Sequence, residues 1–530
     1  MRGVLFLSFT SFTFLCYITL VFVAYFVMPK KARWMVLLAS SLAFYFLCSR
    51  WMIVWVLFTT ATVYLGTNHL QRINDLAAAA TKGAADREEQ AALRGKAQAA
   101  KRLVVVLVLL ANFAVLAATK YSLVIDGFLK TASALMNREA LSFPQLAMPL
   151  GVSFYTFQTA GYVIDVYRNK QKAERNPLKL LLFTSFFPQI MQGPISRYAQ
   201  LAPQLYEGHS FDFEEAKRGI VTIGWGFAKK LVLADRLYVL VDALFSNSGE
   251  YGGAMMFLAS VLYGLHIYTD FSSGIDITLG VARVMGIKMA PNFRQPFFAI
   301  SMSDFWRRWH MTLGGWMRDY LFYPVSMSKP FGKLGKWIRD HLGARWTKVF
   351  ISGIVSFIVF TVVGIWHGPE AKYTVYGLYN GAMIMLATMF EPWFETAFKK
   401  LRINREGVVW HGVRIVRTFL LVTLGRCIVR STGVMAALTS LGRMFTAPNF
   451  AQLSQITTLG LGTSDFVIVG CMLLIVLIVD IIAERSGDAM EWLQKKPLPL
   501  RWLVYFGIIF ILMMLVPVAD IGGEFAYAKF

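Results

Sequence analysis

Runs of mostly apolar residues, many about 20 long, recur from one end of this chain to the other, and that is the length an α-helix needs to cross a bilayer's hydrocarbon core. Candidate spans are 4–28, 34–48, 51–66, 103–119, 148–167, 349–366, 373–391, 416–433, 466–483 and 502–519. Within hydrocarbon every backbone N–H and C=O must be satisfied inside the protein, which favours helices for runs of this length. Of the 530 residues, 56% are hydrophobic and only 16% charged, whereas a soluble domain is nearer a quarter charged. The expected fold is therefore an all-α integral membrane protein, a single membrane-embedded unit with about 10–14 membrane segments, some of them re-entrant. Residues 4–28 exceed a signal-peptide core and lack a convincing A-x-A exit, so they read as a first membrane helix.

The net charge of +22 does not point to nucleic acid, because the basic residues cluster in short loops between apolar runs. That is the distribution that the positive-inside rule and anionic headgroups produce. Loop 67–102 carries seven Lys/Arg against four acids, segment 306–348 nine against two, and segment 399–417 six against one. All can face the cytoplasm if both termini lie outside. Loop 67–102, rich in Ala, Lys and Glu, reads as an exposed helix-turn element. Segments 178–192 and 219–245 are interrupted, by Pro188 and by Lys229-Lys230 with Asp235-Arg236, and suit half-membrane pieces buried in protein. The four cysteines are far apart in apolar stretches, which indicates neither a zinc site nor a disulfide framework.

Three polar clusters sit against these apolar segments. The densest runs Ser301-Met-Ser-Asp304-Phe305-Trp306-Arg307-Arg308-Trp309-His310. Ser301 followed by Asp304 predicts a helix start near Met302, and on such a helix Arg307 would share a face with His310, and Asp304 with Arg308. Interleaved rings and arginines equally suit the membrane interface. The second is Trp366-His367-Gly368 at the end of an apolar run. A histidine there is either satisfied by a neighbouring helix or functional, and imidazole is the side chain best suited to proton transfer near neutral pH. In the third, Asp270 and Asp276 lie six residues apart in an apolar context, where carboxylates need partners. A structural ion pair with an arginine, or a helix cap, is the expected role for each. No metalloprotease, serine-hydrolase or complete Walker motif is present, and no metal site is expected.

Taken in order, Pro149-Leu-Gly151-Val-Ser153-Phe154-Tyr155, Ile164-Asp165-Val-Tyr167-Arg168, Gly193-Pro194-Ile-Ser-Arg197, the Asp270 segment, the Phe305–His310 run and Trp366-His367-Gly368 resemble the membrane-bound O-acyltransferase family. The resemblance is to its branch with alginate O-acetyltransferase and the D-alanyl transfer protein of teichoic acid. It is best over residues 148–391, which would form the core of a single domain 1–530. Peripheral helices would fill 1–147, and C-terminal helices with an external tail 392–530. The resemblance implies a many-helix fold around a conduit, with His367 as the family's invariant histidine and His310 as its second. Trp306, Arg307, Arg308, Trp309, Asp270, Asp276 and Trp366 are the implied substrate-binding positions. Tyr527, in a closing F-x-Y-x-x-F, resembles an acyl-carrying tyrosine, although an aromatic interface anchor fits its spacing too. The chain reads Asp270-Phe-Ser-Ser-Gly-Ile-Asp276 where the family commonly has D-F-S-G-Y-S-D, so no role passes to Gly274 or Ile275.

The implied activity is transfer of an acyl group, acetyl first, from a cytoplasmic thioester (acetyl-coenzyme A or an acyl carrier protein) to a hydroxyl of a cell-surface or secreted polysaccharide. An external partner protein would complete the transfer. No tightly bound cofactor is expected, and the setting would be a bacterial cytoplasmic membrane. D-alanyl transfer to teichoic acid is the rival within this class, and a proton-coupled transporter the rival outside it.

Overall fold

A computed structural model describes residues 9–84, 86–136, 139–402 and 404–515, and it divides into two compact units. Among the described residues the secondary structure is helical, and the one extended pairing is an isolated bridge between Phe293 and Trp309. Five stretches are long and apolar enough to cross a membrane: Lys30–Gly83, Arg87–Lys120, Gly253–Val284, Ala344–His367 and Thr463–Ser486. The first holds two helices, parted where Arg50 takes a left-handed φ of 47°. Other expected spans are helices too, but Val152–Tyr167 has only 16 residues. Large apolar side chains such as Leu20, Val23, Leu107 and Leu110 lie on exposed helix faces, as a lipid-facing surface requires.

The first unit comprises residues up to Ile223 together with Ile277–Ala290. The loop expected at 67–102 is the tip of a long hairpin, Ile53–Gly83 against Arg87–Lys120. Asp86 caps the second helix by accepting a hydrogen bond from the Glu89 amide at 2.7 Å, and Glu88 and Glu89 in its first turn complement the helix dipole. Deeper in the hairpin, Asn112 donates to Thr62 Oγ1 at 3.1 Å, and Gly66 lets Val108 approach where a Cβ would lie 2.4 Å from it. Helix Val152–Tyr167 is buried on nearly every face. It begins after Gly151, whose φ of +66° and closeness to the Ile190 carbonyl admit no side chain.

The second unit comprises Gly224–Asp276 and the residues from Pro291 onward. Segment 219–245 is helical throughout, and its interruption at the lysines is a buried π-helical stretch, Ala228–Ala234, between helices Phe213–Phe227 and Asp235–Ser246. The adjacent lysines are buried in that stretch. Lys229 meets Asp276 at 2.8 Å, and Lys230 meets Asp270 at 2.7 Å and Asp235 at 2.9 Å. The two carboxylates therefore have structural ion-pair partners, lysines where arginine was expected. Helices Ala344–His367 and Ala371–Lys400 form the tightest hairpin of this unit. Gly364 and Gly377 face each other at its crossing, where a Cβ on either would come within 2.6 Å of the opposite backbone.

Candidate active site

Ser301 accepts a hydrogen bond from the Asp304 amide at 3.1 Å and starts helix Met302–Arg308, as its spacing predicts. Arg308 is clamped between Asp304, 3.1 Å from its Nε, and Glu484, 2.8 Å from its Nη1. Arg307 turns outward, 3.9 Å from Asp304 and largely exposed. The helix stops at Arg308. Trp309 is extended and bridges Phe293, and His310 takes a left-handed φ of 46°. Arg307 and His310 thus do not share a helix face, because the bridge to Phe293 holds the backbone out of the helix before His310 is reached.

His310 is buried edge-on against Phe271, ring centroids 5.0 Å apart, with Nδ1 3.2 Å from Asn292 Oδ1. That same Asn292 atom accepts from the Thr312 amide at 3.0 Å, so it is an oxygen. Nδ1 must then carry the proton, leaving Nε2 as the basic nitrogen. Burial depresses the imidazolium to about 3, and the ring is neutral at physiological pH.

His367 ends its helix at the tip of the hairpin, half-buried, between the rings of Trp366 at 4.7 Å and Tyr373 at 6.5 Å. Gly368 is required there, since a Cβ on it would meet the Tyr373 ring at 2.8 Å. His367 lines a narrow cleft with Trp306, Trp309, Tyr263, Tyr373, Tyr376 and Arg426. Trp306 is held by an indole hydrogen bond to Asn380 Oδ1 at 3.2 Å. Three sequence-derived positions (His367, Trp306 and Trp309) therefore meet at one place, and Trp366 packs directly behind. His310 follows Trp309 but does not line this cleft, and Asp270, Asp276, Arg307 and Arg308 make the contacts described above. Tyr527 lies outside the described residues.

Sequence reasoning missed Arg426. It is buried on helix Val408–Arg430, its guanidinium 4.3 Å from the centre of the Trp309 ring. A signal existed: an arginine inside an apolar run is a functional candidate by default. Run 416–433 reads as a span because hydropathy summed along it outweighs the charge of Arg426 within its apolar stretch.

The cleft joins an imidazole, a buried cation and aromatic walls, a set suited to polar group transfer. A model of the membrane-bound O-acyltransferase family matches residues 3–423. The chain is 28% identical over 363 residues to "Probable alginate O-acetylase AlgI" of Pseudomonas syringae pv. tomato, covering 68% of this chain and 64% of that protein. Its likeness to the Pseudomonas aeruginosa protein of the same name is 30% over 312 residues, 59% of this chain and 54% of that one. With "Teichoic acid D-alanyltransferase" of Bacillus subtilis it shares 32% over 301 residues, 54% of this chain and 71% of that one. The matched stretch thus spans under two thirds of the length of the two Pseudomonas proteins.

Proposed function

Because this chain belongs to the membrane-bound O-acyltransferase family, we propose that it transfers an acyl group, acetyl first, from a thioester to a hydroxyl of an envelope or secreted polysaccharide. The observation that carries this reading is the cleft at the hairpin tip, where His367 stands among aromatic walls beside a buried cation. A hydroxyl is a poor nucleophile until its proton is removed as it attacks. His367 would take that proton as the oxygen adds to the acyl carbon and return it to the departing thiolate. Trp306 and Trp309 would border the acyl group and keep water, the competing nucleophile, away. His310, neutral and fixed by Asn292, would act as a proton relay or orient the donor, with Nε2 as its acceptor atom.

In this reading acetyl-coenzyme A or an acyl carrier protein supplies the thioester from the cytoplasmic face of a bacterial inner membrane. An external partner passes the acyl group on to the polymer, and Tyr527 is its first acceptor. D-alanyl transfer to teichoic acid is the second reading, favoured by the likeness to the Bacillus subtilis protein.

His367→Ala should accumulate in membranes like the wild type while acylation falls by about 10²–10⁴, the usual effect of losing an acid/base group. Mass spectrometry of envelope polysaccharides from complemented deletion strains reads the difference and identifies the group as acetyl or D-alanyl. Full acylation by a well-expressed His367→Ala protein rules the mechanism out.

A further inference from the structure

Among the described residues, the buried cations of the second unit have carboxylate partners with one exception. Lys229, Lys230 and Arg308 pair with Asp276, Asp270 and Asp304, the last joined by Glu484. Arg426 is 4% exposed, and among the described residues neither its Nε nor its Nη2 has a hydrogen-bond partner. The buried arginine of the first unit, Arg33, shows the ordinary solution: its guanidinium donates to the Phe26 and Met28 carbonyls at 3.0 Å and also to the His209 carbonyl. Leaving two buried guanidinium nitrogens without acceptors is costly. Retaining such a guanidinium in a cleft suggests that the acceptor arrives with the substrate.

The geometry is that of a fixed donor. The guanidinium lies 4.3 Å from the Trp309 ring centre and 5.9 Å from that of Phe305. Those two rings are stacked 5.5 Å apart, and Trp309 is anchored through its bridge to Phe293. Contact with an aromatic face engages the flat side of a guanidinium and leaves its in-plane N–H groups free to donate. Arg426 lines the same cleft as His367, so base and cation address one small volume.

We propose that Arg426 is the oxyanion-holding residue of this cleft, a role that rests on the acyl-transfer reading above. The acceptor oxygen forms a bond to the acyl carbon as His367 takes its proton, and the carbonyl electron pair moves onto the carbonyl oxygen. Arg426 donates N–H bonds to that oxyanion. When the carbonyl re-forms, the carbon–sulfur bond breaks and the thiolate leaves with the proton held by His367. A fixed charge in a dry site stabilises the oxyanion more than the ground-state carbonyl, so the effect falls on kcat.

Permeabilised cells of a deletion strain complemented with the full chain, which retain the external partner, provide the test, with acetyl-coenzyme A or an acetylated carrier protein as donor, a neutral and a carboxylated oligosaccharide as acceptors, and rates taken per molecule of accumulated protein. Arg426→Gln should lower kcat by about 10²–10³ on both acceptors, with the donor KM within about threefold of wild type. Turnover equal to wild type overturns the proposal. So does a loss confined to the carboxylated acceptor, which would make Arg426 a receptor for that carboxylate. If Arg426→Gln fails to accumulate, Arg426→Lys carries the same test: losing the planar fork should cost about tenfold or more in kcat, and wild-type kcat with lysine overturns the assignment. Permeabilised wild-type cells that move acetyl from neither donor to either acceptor remove the acyl-transfer reading itself, and this proposal with it, before any variant is made.

Discussion

At the scale of single residues, His310 shows how burial chooses a protonation state. An unfolded chain protonates this imidazole near 6.5, and the folded protein only at about 3. Between those values the unfolded state binds more protons. The stability contributed by a neutral buried His310 is thus complete above pH 6.5 and is lost as the pH falls from 6.5 toward 3. Detergent-solubilised protein should melt at a lower temperature at pH 5 than at pH 7, and His310→Gln should narrow the gap. A gap of the same size in the variant contradicts the assignment. The two histidines were legible in the sequence because imidazoles beside apolar runs are few. Their separate surroundings were not, since His310 owes its place to Phe293, Asn292 and Phe271, none of which adjoins it in the chain.

At the scale of elements, the π-helical stretch Ala228–Ala234 aims two consecutive lysines at two carboxylates on one helix, Gly253–Val284. Six residues of helix separate Asp270 from Asp276, about 9 Å along the axis. Insertions of this kind often mark functional sites, and here the result is a buried charge network. Lys230→Met should destabilise the protein by about 3–5 kcal/mol, because it removes the buried lysine that Asp270 and Asp235 share. Adding Asp270→Asn should recover part of that loss, read as melting temperature or resistance to protease. Destabilisation unrelieved by the second change would mean that packing, not charge, was lost. In the sequence Lys229-Lys230 reads as a break in a span, because hydropathy records the cost of a charge but not the partner that offsets it.

At the scale of the molecule, the second of two compact units carries a cleft whose chemistry fits acyl transfer, and the proposed route to the polymer passes through Tyr527. Tyr527→Phe keeps the aromatic ring and removes only the nucleophilic oxygen. It should accumulate normally and leave the polysaccharide unmodified, and acyl-enzyme trapped in the wild type should map to the C-terminal peptide by mass spectrometry. Acylation at the wild-type level by Tyr527→Phe would instead make the tail an interface anchor. What the sequence determined by itself is local or additive: apolar runs that become helices, the Ser301 helix start, the helix-turn element at 67–102, and the family. Each depends on neighbours within a few residues or on hydropathy summed along a segment. Beyond the local pair of Asp304 with Arg308, tertiary structure decided which charges pair. The lysines meet the aspartates, the Phe293 bridge takes Trp309 and His310 out of their helix, and Arg426 comes to rest on Trp309 beside His367. The reason is physical: a buried charge is held by partners that only packing brings within hydrogen-bond range, and those partners lie on other helices far away in the chain.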